Sequence, residues 1–196
     1  MSGALLLASA SPRRRELLAQ LGLPFRVAAV DIDESPFPGE APRDLVLRLA
    51  RGKAETALAG SEPGQWVLGA DTVVAVGKEI LGKPGDAAEA AAMLERLSGR
   101  AHTVHSGLAL ARSGFATRVD AVRTRVWMRD IAADEIVTYL ATGEPLGKAG
   151  AYAIQGRAAA FVRCLAGSYS NVVGLPLFEL DAMLREIPDP PARMID

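Results

Sequence analysis

The stretch LLLASASPRRRELLAQLG, from Leu5 to Gly22, carries the clearest structural signal in the sequence. Its continuous apolar start is typical of a strand that is covered on both faces. Ser11 has the side chain of a helix N-cap, and Pro12 suits the first helical position, where its missing N–H costs nothing. Gly22 marks the predicted end of the helix. The stretch therefore predicts a buried strand, a turn and a helix.

The same signals recur along the rest of the chain. Apolar runs and alternating patterns predict strands over residues 65–77, 79–84, 102–111 and 119–128, and one or two more within 158–176. Residues 25–35 are predicted to begin as a strand and to run out into an acidic loop. Helical periodicity and end signals predict helices over residues 43–59, 86–97, 134–142 and 176–187. Asp86 followed by Glu89 is the pattern of a capping box. Strands that alternate with helices around a hairpin-rich middle predict an α/β fold, with a mixed sheet flanked by helices.

The composition limits the classes of protein to consider. A chain of 196 residues can bury the core of one domain, with one or two lobes. It is 49% hydrophobic and 23% charged, as expected for an ordinary soluble globular protein. The net charge of −1 gives no general field that would attract nucleic acid or an anionic membrane, so we expect neither as a partner. Any attraction for a polyanion must come from a local cluster of Lys and Arg.

Cys164 is the single cysteine, which rules out an internal disulfide. Its apolar neighbours favour a small buried side chain over a nucleophile. The N-terminal apolar run is too short for a signal peptide and has no basic region before it. No segment approaches the roughly 18 apolar residues of a membrane span. The sequence therefore predicts a cytoplasmic protein.

Three arginines, Arg13, Arg14 and Arg15, fall in the first turn of the first predicted helix. Cations at that end oppose the helix macrodipole, so helix stability does not explain them. A solvated basic turn is one interpretation, and it suits Arg15 best. The other is phosphate binding, because a helix N-terminus offers free N–H groups and guanidinium groups bind phosphate oxygens bidentately. Ser9 and Ser11 would then add hydroxyl and backbone contacts.

Asp71 interrupts VLGADTVVAV, a run that is otherwise expected to be buried. A buried carboxylate without a partner is costly. Asp71 is either a structural aspartate that caps a loop or bulge, or a metal ligand or general base. Glu34, at the end of the acidic DIDES turn, is either a solvated loop residue or a second carboxylate that meets Asp71 across a cleft.

Two lysines add positive charge to the same hypothesis. Lys53 completes the apolar stripe of the helix predicted over 43–59, and Lys83 follows the predicted hairpin. One interpretation of each lysine is structural, with its ammonium reaching solvent from the edge of the core. The other is that it lines a cleft, where its positive charge binds a polyphosphate. His102 and His105 lack a third ligand for zinc, and we predict that they are structural.

Several common catalytic and binding motifs do not occur in the sequence. It has no Walker A loop, no G-x-G-x-x-G, no G-x-S-x-G and no paired C-x-x-C. Kinase-like, dinucleotide-binding and zinc-finger functions therefore lose support. The residues alone point to a metal-bound polyphosphate as the ligand.

The sequence resembles the Maf family of nucleotide pyrophosphatases in six blocks that occur in the family's order. The family's signature is a serine-rich turn, Pro-Arg-Arg and a Glu-Leu-Leu helix, and it stands here from Ser9 to Leu18. The later blocks are LARGKA, VLGADTVV, ILGKP, LSGRAHTV, and GEPLGKAGAYAIQGRAAAFV together with GSYSNVVGLPL. The resemblance covers nearly the whole chain, and six ordered blocks are far more specific than any one of them.

The resemblance implies a fold and a reaction. The implied fold is an elongated mixed sheet in two lobes with a central cleft, similar to the inosine-triphosphate pyrophosphatases. A single domain is expected over residues 1–188, followed by a flexible tail over 189–196. The implied reaction is hydrolysis of a nucleoside triphosphate between the α and β phosphates, with Mg²⁺ or Mn²⁺ as the cofactor. Family analogy alone points to a homodimer.

The resemblance also implies roles for residues at matching positions. Asp71 matches the general base. Three residues match positions linked to substrate choice: Arg13, Thr72 and Gln155. Five match the polar lining of the cleft: Ser9, Arg14, Glu34, Lys53 and Lys83. On this basis Asp71 and Glu34 are expected to hold the metal, and the triphosphate is expected to contact Arg13, Arg14, Lys53 and Lys83.

The block KAGAYAIQG resembles the branch of the family that acts on dTTP and UTP, rather than the branch that prefers 7-methylguanosine triphosphate. Modified pyrimidine nucleotides are further candidates. The Gln155 amide has both the donor and the acceptor that a pyrimidine base requires. Gly147 departs from this branch, whose members usually carry aspartate before Lys148. Two alternatives stay open: a nucleotide-binding regulator of cell division with little catalysis, and an inosine-triphosphate-type enzyme that acts on purine nucleotides.

Overall fold

The computed structural model describes residues 4–192, which form two compact units. Of the described residues, unit 1 contains 4–71, 106–122 and 174–192, and unit 2 contains 72–105 and 123–173. The end of the predicted tail, residues 193–196, lies outside the described part of the chain. Before it, the Pro188 carbonyl oxygen accepts hydrogen bonds from Trp66 Nε1 at 3.1 Å and from Arg112 Nη1 at 3.3 Å.

The described residues contain seven strands and six α-helices. The strands are β1 (Leu5–Leu7), β2 (Phe25–Val27), β3 (Val67–Val76), β4 (Glu79–Leu81), β5 (Ala101–Ala111), β6 (Arg118–Met128) and β7 (Val162–Ala166). The helices are α1 (Pro12–Ala19), α2 (Pro42–Leu58), α3 (Ala87–Leu97), α4 (Ala133–Leu140), α5 (Tyr169–Val173) and α6 (Leu177–Arg185). Two short 3₁₀ helices lie at Ala149–Ala151 and Arg157–Phe161.

The strands form one mixed sheet. They are hydrogen-bonded in the order β2-β1-β3-β5-β6-β7, with β4 paired to β3. β1 pairs in parallel with β2 and β3, whereas the β3–β4 and β6–β7 pairs are antiparallel. All three residues of β1 are buried, as its continuous apolar run predicts. The predicted α/β fold with a mixed sheet and flanking helices is therefore confirmed.

In unit 1, the backbone of helix α2 lies directly against the sheet. A methyl group added at Gly69 of β3 would stand 2.1 Å from the Ala50 carbonyl oxygen, and one at Gly107 of β5 would stand 2.1 Å from the Val46 carbonyl oxygen. Only glycine permits so close an approach of strand and helix backbones. The predicted inward stripe of this helix, Lys53 included, is buried.

In unit 2, helix α3 begins where the sequence predicts. Asp86 is its N-cap, and the Asp86 Oδ1 accepts a hydrogen bond from the Glu89 N–H at 2.8 Å. The Glu89 carboxylate accepts from the Gly85 N–H at 2.7 Å, one residue earlier than in a standard capping box. The helix buries Ala90, Met93, Leu94 and Leu97 in an apolar cluster that also contains side chains of β3–β6 and α4.

His102 belongs to the buried part of unit 2. It is 2% exposed, its Nε2 lies 2.8 Å from the Tyr152 hydroxyl, and the two rings meet edge to face at 5.3 Å. Burial lowers the pKa of His102 from the ordinary value of 6.5 to about 4. The imidazole is therefore neutral at pH 7 and acts as a packed structural group, as predicted for this histidine.

The burial of His102 predicts a pH dependence of stability. Between pH 6.5 and pH 4 the unfolded chain binds a proton at this histidine and the folded chain does not, so the free energy of unfolding falls as the pH is lowered. The contribution is about 3 kcal/mol at most. Urea unfolding of the wild type and of His102→Gln, followed from pH 7.5 to pH 4, should show a flatter profile in the variant.

His105 provides the matched control for this prediction. It is half-buried, and burial followed by the charge of Arg123 lowers its pKa. His105→Gln is therefore expected to flatten the pH profile less than His102→Gln. A wild-type profile that is equally steep with and without His102 would contradict the assignment of a neutral buried imidazole.

One sequence-based prediction differs from the structure near β7. Cys164 was predicted to be buried, but it is exposed, because β7 lies at the end of the sheet order and pairs only through β6. The segment over 158–176 contains one strand, as the prediction of one or two allows, and its second half forms the short helix α5. A strand at the edge of a sheet can carry as many apolar residues as a strand in its centre. The apolar neighbours of Cys164 therefore do not reveal that its side chain is exposed.

Candidate active site

Lys53, Asp71 and Glu34 form a charged cluster in unit 1. The Lys53 Nζ lies 2.6 Å from Asp71 Oδ1 and 2.5 Å from Glu34 Oε1. The side chains of Lys53 and Asp71 are 7% and 8% exposed, whereas that of Glu34 is 42% exposed. Asp71 thus has the partner that a buried carboxylate requires, and the cluster reaches solvent at Glu34.

The close contact between α2 and the sheet places these groups together. Asp71 lies two residues after Gly69, so both face the same side of β3, which α2 covers. Lys53 lies three residues after Ala50, on the same side of α2. The ammonium of the helix therefore meets the carboxylate of the strand, although the two residues are 18 apart in sequence. Asp71 lies inside β3 and caps no loop.

Several hydrogen bonds fix Arg14 at the start of α1. Its Nε donates to the Gly174 carbonyl oxygen at 2.9 Å, and its Nη1 donates to Ser9 Oγ at 3.2 Å. Its backbone N–H donates to Ser11 Oγ at 3.4 Å, which confirms Ser11 as the N-cap of the helix. Ser9 is 7% exposed, so the hydroxyl that orients the guanidinium is itself buried.

The arginines and the charged cluster belong to one electrostatic environment within unit 1. Burial is the main cause that lowers the pKa of Arg14; Asp71 and Glu34 oppose this change, and Arg13 adds to it. Burial also lowers the pKa of Arg13, against the opposing effect of Glu16. Arginine stays charged at neutral pH in either case. Arg13 and Arg14 thus lie in the same environment as Lys53 and its two carboxylates. The cations can bind an anion, and a carboxylate can accept a proton.

Three further predicted site residues belong to unit 2. Thr72 is half-buried in β3, Lys83 is exposed just after β4, and Gln155 is exposed between the two 3₁₀ helices. The structure thus brings together Ser9, Arg14, Glu34, Lys53 and Asp71 in unit 1. Thr72, Lys83 and Gln155 are described within unit 2 alone.

Glu144 holds the loop that carries Gln155, and no pattern in the sequence singles it out as functional. The Glu144 Oε1 accepts a hydrogen bond from the Tyr139 hydroxyl at 2.7 Å, and its Oε2 accepts one from the Arg157 N–H at 3.1 Å. A methyl group at Gly156 would stand 2.4 Å from either carboxylate oxygen, so the loop backbone packs directly on Glu144. A glutamate in a glycine-rich block indicates only a turn. Its role here is not visible in the local sequence, because its partner Arg157 is 13 residues away.

Gly147 adopts a backbone conformation that suits glycine. Gly147 has a φ of 69°, in the left-handed region that glycine adopts freely and aspartate less readily. The ammonium of the next residue, Lys148, donates to the Glu144 carbonyl oxygen. Lys148 is therefore oriented by the loop backbone in this chain.

The donor chemistry of the cluster fits a hard divalent cation. Within residues 4–192 no group of three or more His, Cys, Asp or Glu is arranged to hold a metal ion. Two carboxylates, Asp71 and Glu34, converge on the Lys53 ammonium. Mg²⁺ commonly takes one or two carboxylates from the protein and the remaining oxygens from substrate phosphates and water, and Mn²⁺ shares this preference for oxygen ligands. The residues present thus fit such an ion when a polyphosphate is bound with it.

The fold and this cluster define an α/β protein with a buried lysine held between two carboxylates. The family model described as Maf-like protein matches residues 4–187. The chain therefore belongs to the Maf-like protein family, and the resemblance in the six sequence blocks is confirmed. It is 59% identical over 180 residues to a dTTP/UTP pyrophosphatase of Myxococcus xanthus, covering 92% of this chain and 90% of that protein. It is 56% identical over 185 residues to a dTTP/UTP pyrophosphatase of Sphingopyxis alaskensis, covering 94% and 96%.

Similarity to solved structures is partial. The Staphylococcus aureus Ham1 protein overlaps 65% of this chain and 73% of its own, with a TM-score of 0.47 and 14% identity. A nucleoside-triphosphatase / dITP/XTP pyrophosphatase of Mycobacterium abscessus overlaps 64% and 74%, with a TM-score of 0.42 and 19% identity. The family assignment rests on the sequence matches. No helix within the described residues has the length and apolar character needed to cross a membrane.

Proposed function

We propose that this protein is a nucleoside triphosphate pyrophosphatase that hydrolyses dTTP and UTP to the monophosphate and pyrophosphate. The proposal is supported by the identity of 50–60% over nearly the whole chain to proteins that carry this name. The observation that carries the chemistry is the buried Lys53, whose ammonium contacts Asp71 and Glu34 at 2.6 and 2.5 Å. A buried carboxylate beside fixed cations suits hydrolysis of a phosphoanhydride.

Asp71 is the proposed general base. Attack on phosphorus requires that a water molecule lose a proton, and an aspartate held in place by Lys53 and β3 is suited to accept it. Arg14 has a fixed orientation because Ser9 and Gly174 hold its guanidinium. Arg13, Arg14 and Lys53 are the proposed contacts for the triphosphate, whose charge they offset without reorganising during the reaction.

Glu34 and Asp71 are the proposed ligands of a divalent cation, Mg²⁺ or Mn²⁺. Such an ion would neutralise negative charge on the phosphate oxygens as the bond to pyrophosphate breaks. The carboxylate pair also holds Lys53, which positions its ammonium next to the same phosphates. Removal of free divalent ions with EDTA is therefore expected to stop hydrolysis.

Residues of unit 2 are the proposed source of substrate choice. Gln155 is exposed on a loop whose backbone Glu144 holds at the two following residues, and its amide is therefore accessible to a base. One amide can both donate and accept, as a pyrimidine carbonyl and its neighbouring N–H require. Thr72 and Lys83 of unit 2, and separately Arg13 of unit 1, stay predictions as substrate-binding residues.

A nucleotide panel tests the proposed function. Purified full-length protein is incubated with MgCl₂ or MnCl₂ and one of dTTP, UTP, dCTP, ATP, GTP, ITP and 7-methylguanosine triphosphate, and pyrophosphate is measured. We expect kcat/KM for dTTP and UTP to exceed that for the purine nucleotides by at least about tenfold, in keeping with the substrates named for the relatives that are 59% and 56% identical to this chain. Preference for ITP would contradict the proposal and favour the inosine-triphosphate-type alternative.

The second candidate function is a nucleotide-binding regulator of cell division with little catalysis. Such a protein would need the cations, but it would have no use for a buried carboxylate fixed by Lys53. Tight binding of dTTP or UTP with no pyrophosphate release in the panel would favour the regulator over the enzyme.

Three broader proposals follow from the same function. The two units are proposed to act as one domain over residues 1–188, because the family model spans both of them.

The cytoplasm is the proposed location, since that is where nucleoside triphosphates are made and used. A homodimer stays a prediction by family analogy, to be checked by the mass of the protein in solution.

A further inference from the structure

The acidic loop over residues 31–40 carries Glu34, contains no helix or strand, and is held by Arg48 of α2. The Arg48 Nε and Nη2 donate to the two carboxylate oxygens of Glu40 at 2.7 and 2.8 Å. The same Nη2 donates to the Ser35 carbonyl oxygen at 2.9 Å. The guanidinium carbon lies 4.0 Å from the centroid of the Phe37 ring. A single side chain thus contacts this loop at three residues.

These contacts differ from those of an ordinary surface ion pair. The Arg48 side chain is 29% exposed and that of Glu40 is 9% exposed. Two parallel hydrogen bonds to one carboxylate are the strongest and most directional form of this pair. The Glu40 carboxylate also accepts from the Phe37 N–H at 3.0 Å, so it joins the loop backbone to the guanidinium.

The contacts of Arg48 fix the backbone directly beside Glu34. Ser35, whose carbonyl oxygen Arg48 holds, follows Glu34, and its N–H donates to Asp33 Oδ1 at 2.9 Å. The Glu34 carboxylate then contacts Lys53, five residues after Arg48 on the same helix. One helix thus holds both the loop backbone and the side chain that the loop presents.

From this geometry we propose that Arg48 is a positioning residue, which fixes the acidic loop so that the Glu34 carboxylate meets Lys53 and Asp71. Arg48 makes no hydrogen bond to Asp71 or Lys53, and its hydrogen bonds to Glu40 and Ser35 all go to the loop. Its effect on catalysis rests on the proposed function, in which Glu34 is one of two carboxylates for the divalent ion. Without the Arg48 contacts, Glu34 would have to be ordered from a solvated loop in every catalytic cycle, at a cost in entropy.

Hydrogen–deuterium exchange of the loop amides tests the positioning role without any need for activity. In Arg48→Ala the Ser35 and Phe37 amides are expected to exchange at least about tenfold faster than in the wild type. Arg43→Ala is the matched control on the same helix, since Arg43 is exposed and its ion pair is with the adjacent Asp44 at 3.9 Å. Unchanged loop exchange in Arg48→Ala would overturn the proposal.

Arg48→Lys separates geometry from charge. Lysine keeps the positive charge but cannot make two parallel hydrogen bonds to Glu40 and a third to Ser35. We therefore expect loop exchange in Arg48→Lys to be close to that in Arg48→Ala. Full protection in Arg48→Lys would overturn the proposal, because the charge alone would then be sufficient.

A double-mutant cycle on pyrophosphate release from dTTP with MgCl₂ tests the link to Glu34. Arg48→Ala is expected to lower kcat/KM about tenfold in the wild-type background and less than about twofold in the Glu34→Gln background. An equal loss in both backgrounds would overturn the link. If the wild type releases no pyrophosphate, the proposed function fails, while the exchange measurements still decide whether Arg48 positions the loop.

Discussion

Asp71→Asn is expected to lower kcat for pyrophosphate release from dTTP by about a thousandfold, within the range that a general base contributes. Asparagine has nearly the same shape, and its amide oxygen can still accept the hydrogen bond that Lys53 donates to Asp71 at 2.6 Å. It cannot accept a proton from water at neutral pH. The variant should therefore fold and bind nucleotide but should not turn it over.

A binding measurement and a control variant distinguish a loss of catalysis from a loss of binding or folding. Asp71→Asn should still bind the α,β-methylene analogue of dTTP when MgCl₂ is present, because Glu34 and Arg14 keep their positions, although the loss of one proposed metal ligand is expected to weaken binding. Asp44→Asn removes an exposed carboxylate from α2 and should leave kcat unchanged. An Asp71→Asn enzyme with kcat within about threefold of the wild type would contradict the role of Asp71 as the base.

Lys53→Met has the second large expected effect, on stability as well as on activity. Methionine keeps most of the side-chain volume and removes the charge that holds two carboxylates together. The Asp71 side chain, 8% exposed, would lose its ion-pair partner in a buried position. We expect the free energy of unfolding at pH 7 to fall by about 3 kcal/mol, and pyrophosphate release to fall to background. Urea unfolding monitored by circular dichroism measures the first effect.

A second substitution shows whether the unpaired carboxylate causes this loss. The double variant Lys53→Met/Asp71→Asn removes both charges and should regain most of the lost stability without regaining activity. Arg26→Met serves as the surface control. Its ion pair with Glu62 has the same 2.6 Å distance but joins side chains that are 66% and 67% exposed, so it should cost about 0–1 kcal/mol. A double variant as unstable as Lys53→Met would contradict the explanation.

Local sequence signals predict the elements of this fold well, because their causes lie within a few residues. Ser11 and Asp86 cap their helices as predicted, since an N-cap needs only an acceptor and the N–H three residues later. The apolar run of β1 and the stripe of α2 are also buried as predicted. Cys164 shows the limit of this reasoning, because the pattern around it does not reveal that β7 ends the sheet order.

The candidate site depends on contacts that no local pattern encodes. The sequence singled out Lys53 on an apolar stripe and Asp71 in a buried strand, each as an unusual residue. Their contact requires that α2 approach β3 at Gly69, which is a property of the packed backbone. The hydrogen bond from Arg14 to the Gly174 carbonyl joins residues 160 apart in sequence.

Arg48 was missed for the same reason. An arginine in the middle of a helix is most often a solvated residue, and nothing in its neighbours reveals Glu40 and Ser35 as partners. The sequence shows the charge of the acidic DIDES turn, but the order of this turn comes from the helix that follows it. A carboxylate-rich loop next to a helix with an inward lysine is the signal that could have directed attention to this arginine.

The most direct test follows the products of dTTP in parallel reactions of the wild type and Asp71→Asn, with MgCl₂ and equal protein concentrations. Nucleotides and phosphates are separated by ion-exchange chromatography. If the cluster of Lys53, Asp71 and Glu34 is the catalytic site, the wild type forms dTMP and pyrophosphate in equal amounts, and the variant forms neither above background. Equal rates of dTMP formation by both proteins, or dTDP and phosphate as the products, would contradict it.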